Sequence, residues 1–231
     1  MAFDTSALPD VSGLSVGILG GTGDQGRGLA YRLLRAGQHV LIGSRTADRG
    51  RTAAADIAAL PGAEHGTVTG GDNATVAADA DVVIIAVPWD GHRDTAAALA
   101  EPLAGKIVVD CVNPLGFDKQ GPYALPVPEG SAAQQAAALL PASRVCAAFH
   151  HLSAALLADP EVAAVDSDVL VLGDDRDAVA VVQALAGRID GVRGVHAGRL
   201  RNAHQVEALT ANLIAVNKRY KAHAGVRITD V

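Results

Sequence analysis

Val16-Gly-Ile-Leu-Gly-Gly-Thr-Gly-Asp-Gln-Gly-Arg-Gly-Leu-Ala30 decides how this chain folds. A short apolar run, Val16–Gly20, ends in glycines and passes directly into a helix-like stretch, Gly26–Ala36, closed by Gly37. G-x-G-x-x-G is present at Gly21, Gly23 and Gly26, and equally G-x-x-G-x-x-G at Gly20, Gly23 and Gly26. The bare pattern is weak, but after a strand and at the opening of a helix it predicts a dinucleotide-binding βαβ unit. The first glycines allow a tight turn, and the next lets backbone approach a pyrophosphate. Gly26 permits close helix–strand packing, while the helix N-terminus supplies free N–H groups and the positive end of its dipole.

Outward from this unit, short apolar runs alternate with amphipathic stretches, as expected of βαβ units around a parallel sheet. His39–Gly43 reads as a second strand and Ala47–Leu60 as a second helix ended by Pro61-Gly62. Thr67–Thr69 is a short third strand. Asp81–Val87 is an apolar run fit for a strand buried on both faces. Thr95–Leu103 is helical, Lys106–Asp110 and Val145–Phe149 are strands, Ser131–Leu140 is a helix, and the proline-bearing Asn113–Gly130 is loop. After His150 the rhythm changes: a helix near Ser153–Ala158, a strand Asp168–Leu172, a helix Arg176–Arg188, a strand Val192–His196 and a long helix Asn202–Ala224. The expected architecture is α/β: a doubly wound Rossmann-type parallel sheet over residues 16–150, a smaller C-terminal α/β substrate domain over 151–231, and a flexible arm over 1–15.

The end of the second strand discriminates between dinucleotides. A carboxylate there would accept from a ribose 2′-hydroxyl. This chain has Gly43-Ser44-Arg45, with Arg49 a helical turn further and Arg51 beyond. Ser44 can donate to a 2′-phosphate, Arg45 can pair with it and stack on adenine, and Arg49 can close the other side. The alternative is arginines that merely solvate a helix start, where cations oppose the dipole. Pro88-Trp89 follows the strongest strand and brings the only tryptophan to the carboxyl edge of the sheet, where such folds bind ligands. A core tryptophan is the alternative.

The 231 residues are 49% hydrophobic and 19% charged, enough for a packed core without staples. A net charge of −6 and seven aromatic residues argue against a nucleic-acid surface. No apolar run approaches the ~20 residues that span a bilayer. Cys111 and Cys146 form neither a disulfide framework nor a metal cluster, which suits a reducing cytoplasm. His150 and His151 are adjacent and cannot easily chelate together, so no metal is expected. Charge is uneven. Residues 185–231 hold eight Lys or Arg against three acids, a balance of +5 that leaves −11 elsewhere. This tail is either a solvated basic face or a surface for an anionic small molecule.

The segments Leu19–Ala30, Gly43-Ser-Arg45, Val87-Pro-Trp89, Ala147-Ala-Phe-His150, Leu172-Gly-Asp-Asp175 and Ala197-Gly-Arg-Leu200 together resemble the coenzyme F-420-dependent NADP oxidoreductases, from about Val16 to about Lys221. The resemblance implies hydride passing between NADP(H) and an 8-hydroxy-5-deazaflavin stacked on the nicotinamide, with positioning and exclusion of water doing most of the work. It implies that Gly21, Thr22, Gly23, Asp24, Gln25 and Gly26 cradle the pyrophosphate and that Ser44, Arg45 and Arg49 hold the 2′-phosphate. Pro88, Trp89, Arg93 and Leu115 would line the ribose and nicotinamide. His150, Leu152 and Ala154 would fall where the rings meet, His150 being the candidate proton donor. The deazaflavin's anionic phosphodiester and polyglutamate tail gives the basic segment a purpose through Arg193, Arg199 and Arg201. A cytoplasmic homodimer that binds only small molecules is the expected assembly. The departures are the arm before Val16 and residues His151 and Ser153. Rival readings are a flavin- or metal-directed NADPH reductase, an imine or pyrroline reductase, and a non-catalytic NADP sensor.

Overall fold

A computed structural model describes residues 8–231. Five parallel strands open the chain: β1 (Ser15–Leu19), β2 (His39–Ser44), β3 (Thr67–Asp72), β4 (Val82–Ile85) and β5 (Ile107–Asp110). Helices α1 (Asp24–Arg35), α2 (Ala47–Ala58), α3 (Asn73–Asp79) and α4 (His92–Ala98) connect them. Then come a hairpin of β6 (Leu115–Asp118) and β7 (Gly121–Ala124), helix α5 (Ala132–Leu139) and strand β8 (Arg144–Ala147). Helix α6 (Ala154–Ala158), strand β9 (Ser167–Gly173), helix α7 (Arg176–Ala186), strand β10 (Val192–His196) and helix α8 (Ala203–Tyr220) complete it. The main sheet has eight strands in the order β10-β9-β8-β5-β4-β1-β2-β3. Only the β8–β9 joint is antiparallel, through Cys146↔Gly173 and Ala147↔Leu172.

Strand residues alternate between two cores because successive side chains leave a strand on opposite faces. Val16, Ile18, Val82, Ile84, Ile107 and Val109 meet α1, α2, α6 and α7 through Leu29, Leu33, Ile57, Leu157 and Val182. Leu19, Val83, Ile85 and Val108 meet α3, α5 and α8 through Val76, Ala133 and Val206. The strands are apolar on both faces since helices cover both. The C-terminal segment adds its strands to the same sheet edge and its helices to the same two layers.

Several boundaries differ from the sequence expectation for identifiable reasons. The Asn113–Gly130 loop contains the β6–β7 hairpin, whose turn closes when the Asp118 carboxylate accepts from Gln120 N and Gly121 N, with Gly121 at φ +119°. Strand β4 is shorter than Asp81–Val87. Asp81 accepts from Ser15 N and its hydroxyl, and Ala86 and Val87 turn out into a cleft. Helix α4 starts at His92, after a 3₁₀ turn over Trp89–Gly91. Helix α8 ends at Lys221, which takes a left-handed conformation. Of the expected arm, residues 1–7 lie outside the described residues. Val11 stands against a loose segment up to residue 15: its side chain is core, and Gln38 Nε2 donates to the carbonyls of Val11 and Leu14.

Helix α2 lies on β3 with backbone against backbone. A Cβ on Gly50 would collide with the Gly71 carbonyl, and one on Gly70 with the Gly50 carbonyl. Glycine inside a helix ordinarily loses about 1 kcal/mol to alanine. Here overpacking of about 1–3 kcal/mol opposes that gain, and with backbone as the obstacle the clash wins. Gly50→Ala is expected to lower the melting temperature by a few degrees, at about 2–4 °C per kcal/mol for this chain length, as read by thermal unfolding; an unchanged or raised midpoint would show that α2 is free to lift.

Candidate functional site

The chain leaves β1 for β2 and β3 on one side and returns to β4 on the other. Where the connections part, the carboxyl ends of the strands open a cleft, the switch point at which such sheets bind ligands. The cavity there has a volume of about 610 Å³. Gly20 and Thr22–Gln25 form one wall, Ser44, Arg45 and Arg49 the far end, and Ala86–Pro88 the other side. Gly20 holds φ +75°, and a Cβ on it would sit 2.8 Å from the Ala86 carbonyl oxygen. A Cβ on Gly26 would lie 2.8 Å from Gly21 Cα, so this pair brings helix and strand together as expected. Helix α1 begins at Asp24, two residues earlier than expected. Its cap Gly23 and the α2 cap Thr46 offer no side-chain capping bond, whereas Asp72, Ser131, Ser153 and Asp175 cap α3, α5, α6 and α7. Two helix N-termini therefore leave their N–H groups available beside the cleft.

Arg45 and Arg49 are exposed and, among the described residues, join no ion pair, while Arg51 is bonded to Asp48. No carboxylate ends β2. Asp72 stands opposite Ser44 in register, yet it accepts from Thr75 N at 2.9 Å and Thr75 Oγ1 at 3.1 Å. The Thr75 backbone bond leads in holding its pKa below the usual carboxylate value. Asn73, unforeseen from sequence, lines the cleft with a buried Oδ1 that has no partner among the described residues. The Gly70-Gly71-Asp72 run before it was the available signal. Unpaired cations, an orphan amide oxygen, open N–H groups and glycines that a Cβ would block fit a phosphorylated dinucleotide.

Gln25 differs from a pure phosphate-binding residue. Its Nε2 donates to the Phe149 carbonyl at 3.2 Å and ties the glycine loop to the end of β8. Pro88 lines the cleft, but Trp89, Arg93, Leu115, His150, Leu152 and Ala154 do not. Trp89 is half-buried with its ring centroid 5.4 Å from that of His92, tilted 30°. Arg93 pairs with Glu129. Leu115 opens β6, Leu152 is core, and Ala154 opens α6 against α1.

Behind Trp89 lies a buried polar cluster that sequence reading missed. His92 Nε2 meets Asp110 Oδ2 at 2.6 Å and its Nδ1 meets Gln135 Oε1 at 2.9 Å. Asp110 Oδ1 accepts from Val112 N at 3.0 Å. Gln135 Nε2 donates to Glu129 Oε2 at 3.1 Å, which fixes its amide with the oxygen toward His92. Burial works against a charged imidazole, but the bond to and charge of Asp110, with Gln135 and Glu207 adding, outweigh it and raise the His92 pKa. Glu207 accepts from Ala132 N and Ala133 N at the start of α5. Burial nevertheless pushes its carboxyl up to about 7. The signals were Asp110 closing an apolar strand and Glu207 on the apolar side of a long helix.

His150, the candidate proton donor, is buried beyond the end of β8. Burial, with His151 adding and Asp110 opposing, pushes its pKa down to about 4, and neither ring nitrogen has a partner among the described residues. At neutral pH it is an uncharged imidazole. Its carbonyl accepts from Asn113 Nδ2 and Thr210 Oγ1, while Phe149 before it holds φ +67°. His151 donates from Nε2 to the Asp168 carbonyl at 2.6 Å and is structural. Cys111 and Cys146 are buried free thiols whose pKa values burial raises, that of Cys146 to about 12. Among the described residues no cluster of three or more His, Cys, Asp or Glu could hold a metal, and no helix is long and apolar enough to cross a membrane.

The basic segment is partly consumed inside the fold. Arg193 Nε and Nη2 donate to Asp168 at 3.0 and 2.7 Å, so this guanidinium is engaged rather than free for an anionic ligand. Arg227 adds a bond to Asp168 at 2.7 Å, and Ile228 N another at 2.7 Å. Arg199 faces Asp174 at 3.5 Å with both side chains exposed, and Arg201 is exposed with no ion pair among the described residues.

A family model described as "NADP oxidoreductase coenzyme F420-dependent" matches residues 15–114. The "F420-dependent NADP reductase" of Methanothermobacter thermautotrophicus is 39% identical over 94% of this chain and 96% of its own length. That of Methanocaldococcus jannaschii is 39% identical over 94% and 99%. A crystal structure of a candidate F420-dependent NADP-reductase from Arthrobacter sp. FB24 superposes with a TM-score of 0.76 at 32% identity, covering 94% of this chain and all of that one.

Asp168 provides a test of the tail latch. Burial raises its pKa, but the bonds from Arg193, Ile228 N and Arg227 outweigh that and bring it down to about 2. A depressed carboxyl contributes stability that is present above its ordinary pKa of 3.8 and lost as pH falls toward about 2. Asp168→Asn is expected to cost about 3–5 kcal/mol and to flatten the pH dependence of denaturant unfolding across that window; a wild-type slope in the variant would assign the acid transition elsewhere.

Proposed function

The chain belongs to the coenzyme F-420-dependent NADP oxidoreductases, and from that premise we propose how its residues divide one reaction. It is an oxidoreductase that transfers hydride between NADP(H) and coenzyme F-420. The carrying observation is identity across nearly the full length of both chains, with the unpaired Arg45 and Arg49 at the cleft's far end. The same coverage disfavours the imine-reductase, membrane-reductase and sensor readings.

In this reading the backbone of Thr22–Gln25 and the open start of α1 hold the pyrophosphate, with Gly21 and Gly26 setting their approach. Ser44, Arg45 and Arg49 hold the 2′-phosphate, and Asn73 meets the ribose beside them. The turn Pro88–Gly91, with Trp89, borders the nicotinamide. When bound, NADPH supplies the hydride that the deazaflavin ring accepts together with a proton. Near-attack positioning in a dry site accounts for the rate without an essential side chain. His150 is uncharged, so it forms wall rather than acid, and Leu152 and Ala154 continue that wall. Arg199 and Arg201 meet the coenzyme's anionic tail, while Arg193 holds Asp168 within the fold. The setting is the cytoplasm. A second copy covers the outer half of α8 and the adjacent hairpin, where Tyr220 is 73% and Phe117 68% exposed.

Mixing NADPH with oxidised coenzyme F-420 is expected to bleach the deazaflavin's visible absorption; no turnover, with ordinary flavins reduced instead, would sink this reading. Arg45→Ala and Arg49→Ala should each weaken NADPH by about ten- to a hundred-fold and leave NADH nearly unchanged; equal losses for both would remove the 2′-phosphate assignment. In sedimentation, wild type is expected to be a dimer and the Val216→Glu/Tyr220→Glu protein a monomer, while a monomeric wild type would refute the second copy.

A further inference from the structure

The cluster behind Trp89 carries more than packing. Gln135 has its amide N–H on Glu129 and presents only oxygen to His92 Nδ1, while the Asp110 carboxylate faces Nε2. Both ring nitrogens thus face acceptors, which only a doubly protonated imidazole satisfies with two donors. His92 is fully buried, and its one aromatic neighbour among the described residues is Trp89. An imidazolium beside an indole is held by attraction to the ring's electron-rich face. Pro88 and Gly91, on either side of Trp89, both line the cleft. Whatever fixes the indole therefore fixes this turn.

We propose that His92, held as an imidazolium between Asp110 and Gln135, is the positioning residue that seats Trp89 and the Pro88–Gly91 turn at the nicotinamide end of the cleft. Its place in catalysis rests on the reading of the cleft given above, whereas its hold on Trp89 does not. The charged groups facing it are Asp110 from the end of β5 and Glu207 from α8. Glu129 lies beyond Gln135 with Arg93 upon it, and His150 acts through Asp110. A histidine whose pKa is raised above 6.5 keeps its full stabilising charge below that value. As pH climbs through the raised pKa the charge is lost, and with it the grip on the indole.

Trp89 is the only tryptophan, so indole fluorescence reports on the surroundings of this one residue. Protonated imidazole quenches indole emission. In the full-length protein without ligand, emission is expected to be quenched at neutral pH and to brighten as alkali discharges His92. His92→Gln should be bright at neutral pH and should lose that alkaline step. An alkaline step in His92→Gln equal to that of wild type would belong to another group and overturns the proposal. In steady-state assays the variant's kcat should fall by about ten-fold from misplacement, with little change in the KM for NADPH, because the phosphate end is untouched. Emission identical in the two proteins, or an unchanged kcat, overturns the proposal. Should His92→Gln fail to fold, the wild-type titration decides alone, a flat profile overturning it. Absence of turnover in wild type, with the emission contrast intact, would fail the hydride reading while supporting the seating of Trp89.

Discussion

One buried guanidinium ties the first helix to the chain that follows β8. Arg32, on α1, donates to the carbonyls of Leu157 and Val162 at 2.8 and 2.7 Å and to those of Leu156 and Asp159. These carbonyls end α6 and begin the loop toward β9, and left unpaired they would be costly so far from water. Gly28, one turn before Arg32, makes room for Leu157. The helix that opens at the glycine loop is thus the helix that organises the segment carrying Leu152 and Ala154. Gln25 adds a third tie, to Phe149. The glycine loop and the segment after β8 are thus tied to each other through α1.

Charge is distributed by the same economy. The acidic body and basic tail read from composition meet in the fold. Asp168 and Asp166 take Arg193 and Arg227, and Arg188 reaches the Ala36 carbonyl. What faces outward at the cleft is the remainder, Arg45 and Arg49. Deeper, Asp110, His92 and Glu207 are buried near one another. A buried charge is tolerable when paired and hydrogen-bonded, and its main effect is then on geometry rather than on stability. The basic tail serves the fold first and any ligand second.

The glycine loop and the Ser44–Arg45 end were legible because they are backbone and end-of-strand features, encoded within a few consecutive residues. The βαβ order followed from periodicity for the same reason. The polar cluster was not legible, since His92, Asp110, Gln135 and Glu207 converge from four elements and each alone resembles a surface residue. Arg193 looked free because its partner, Asp168, sits on the neighbouring strand, a pairing set by β9–β10 register. The β6–β7 hairpin was hidden by its prolines, which an isolated two-stranded ribbon tolerates at its edges. His150 could be placed at the end of β8 but not titrated, because burial depends on the whole fold.

The two unpaired arginines give the cleft an uneven thermodynamic character. The glycine wall is backbone held at fixed angles and has no rotamer to lose. Arg45 and Arg49 break no internal contact when an anion arrives, so their full charge is available to it. Each gives up as much as about 2 kcal/mol of rotamer entropy in being ordered. If the cleft takes the dinucleotide as proposed, ordering these two arginines would cost conformational entropy that the glycine wall does not. One ligand would be met by rigid template at its centre and by supple clamps at its tip.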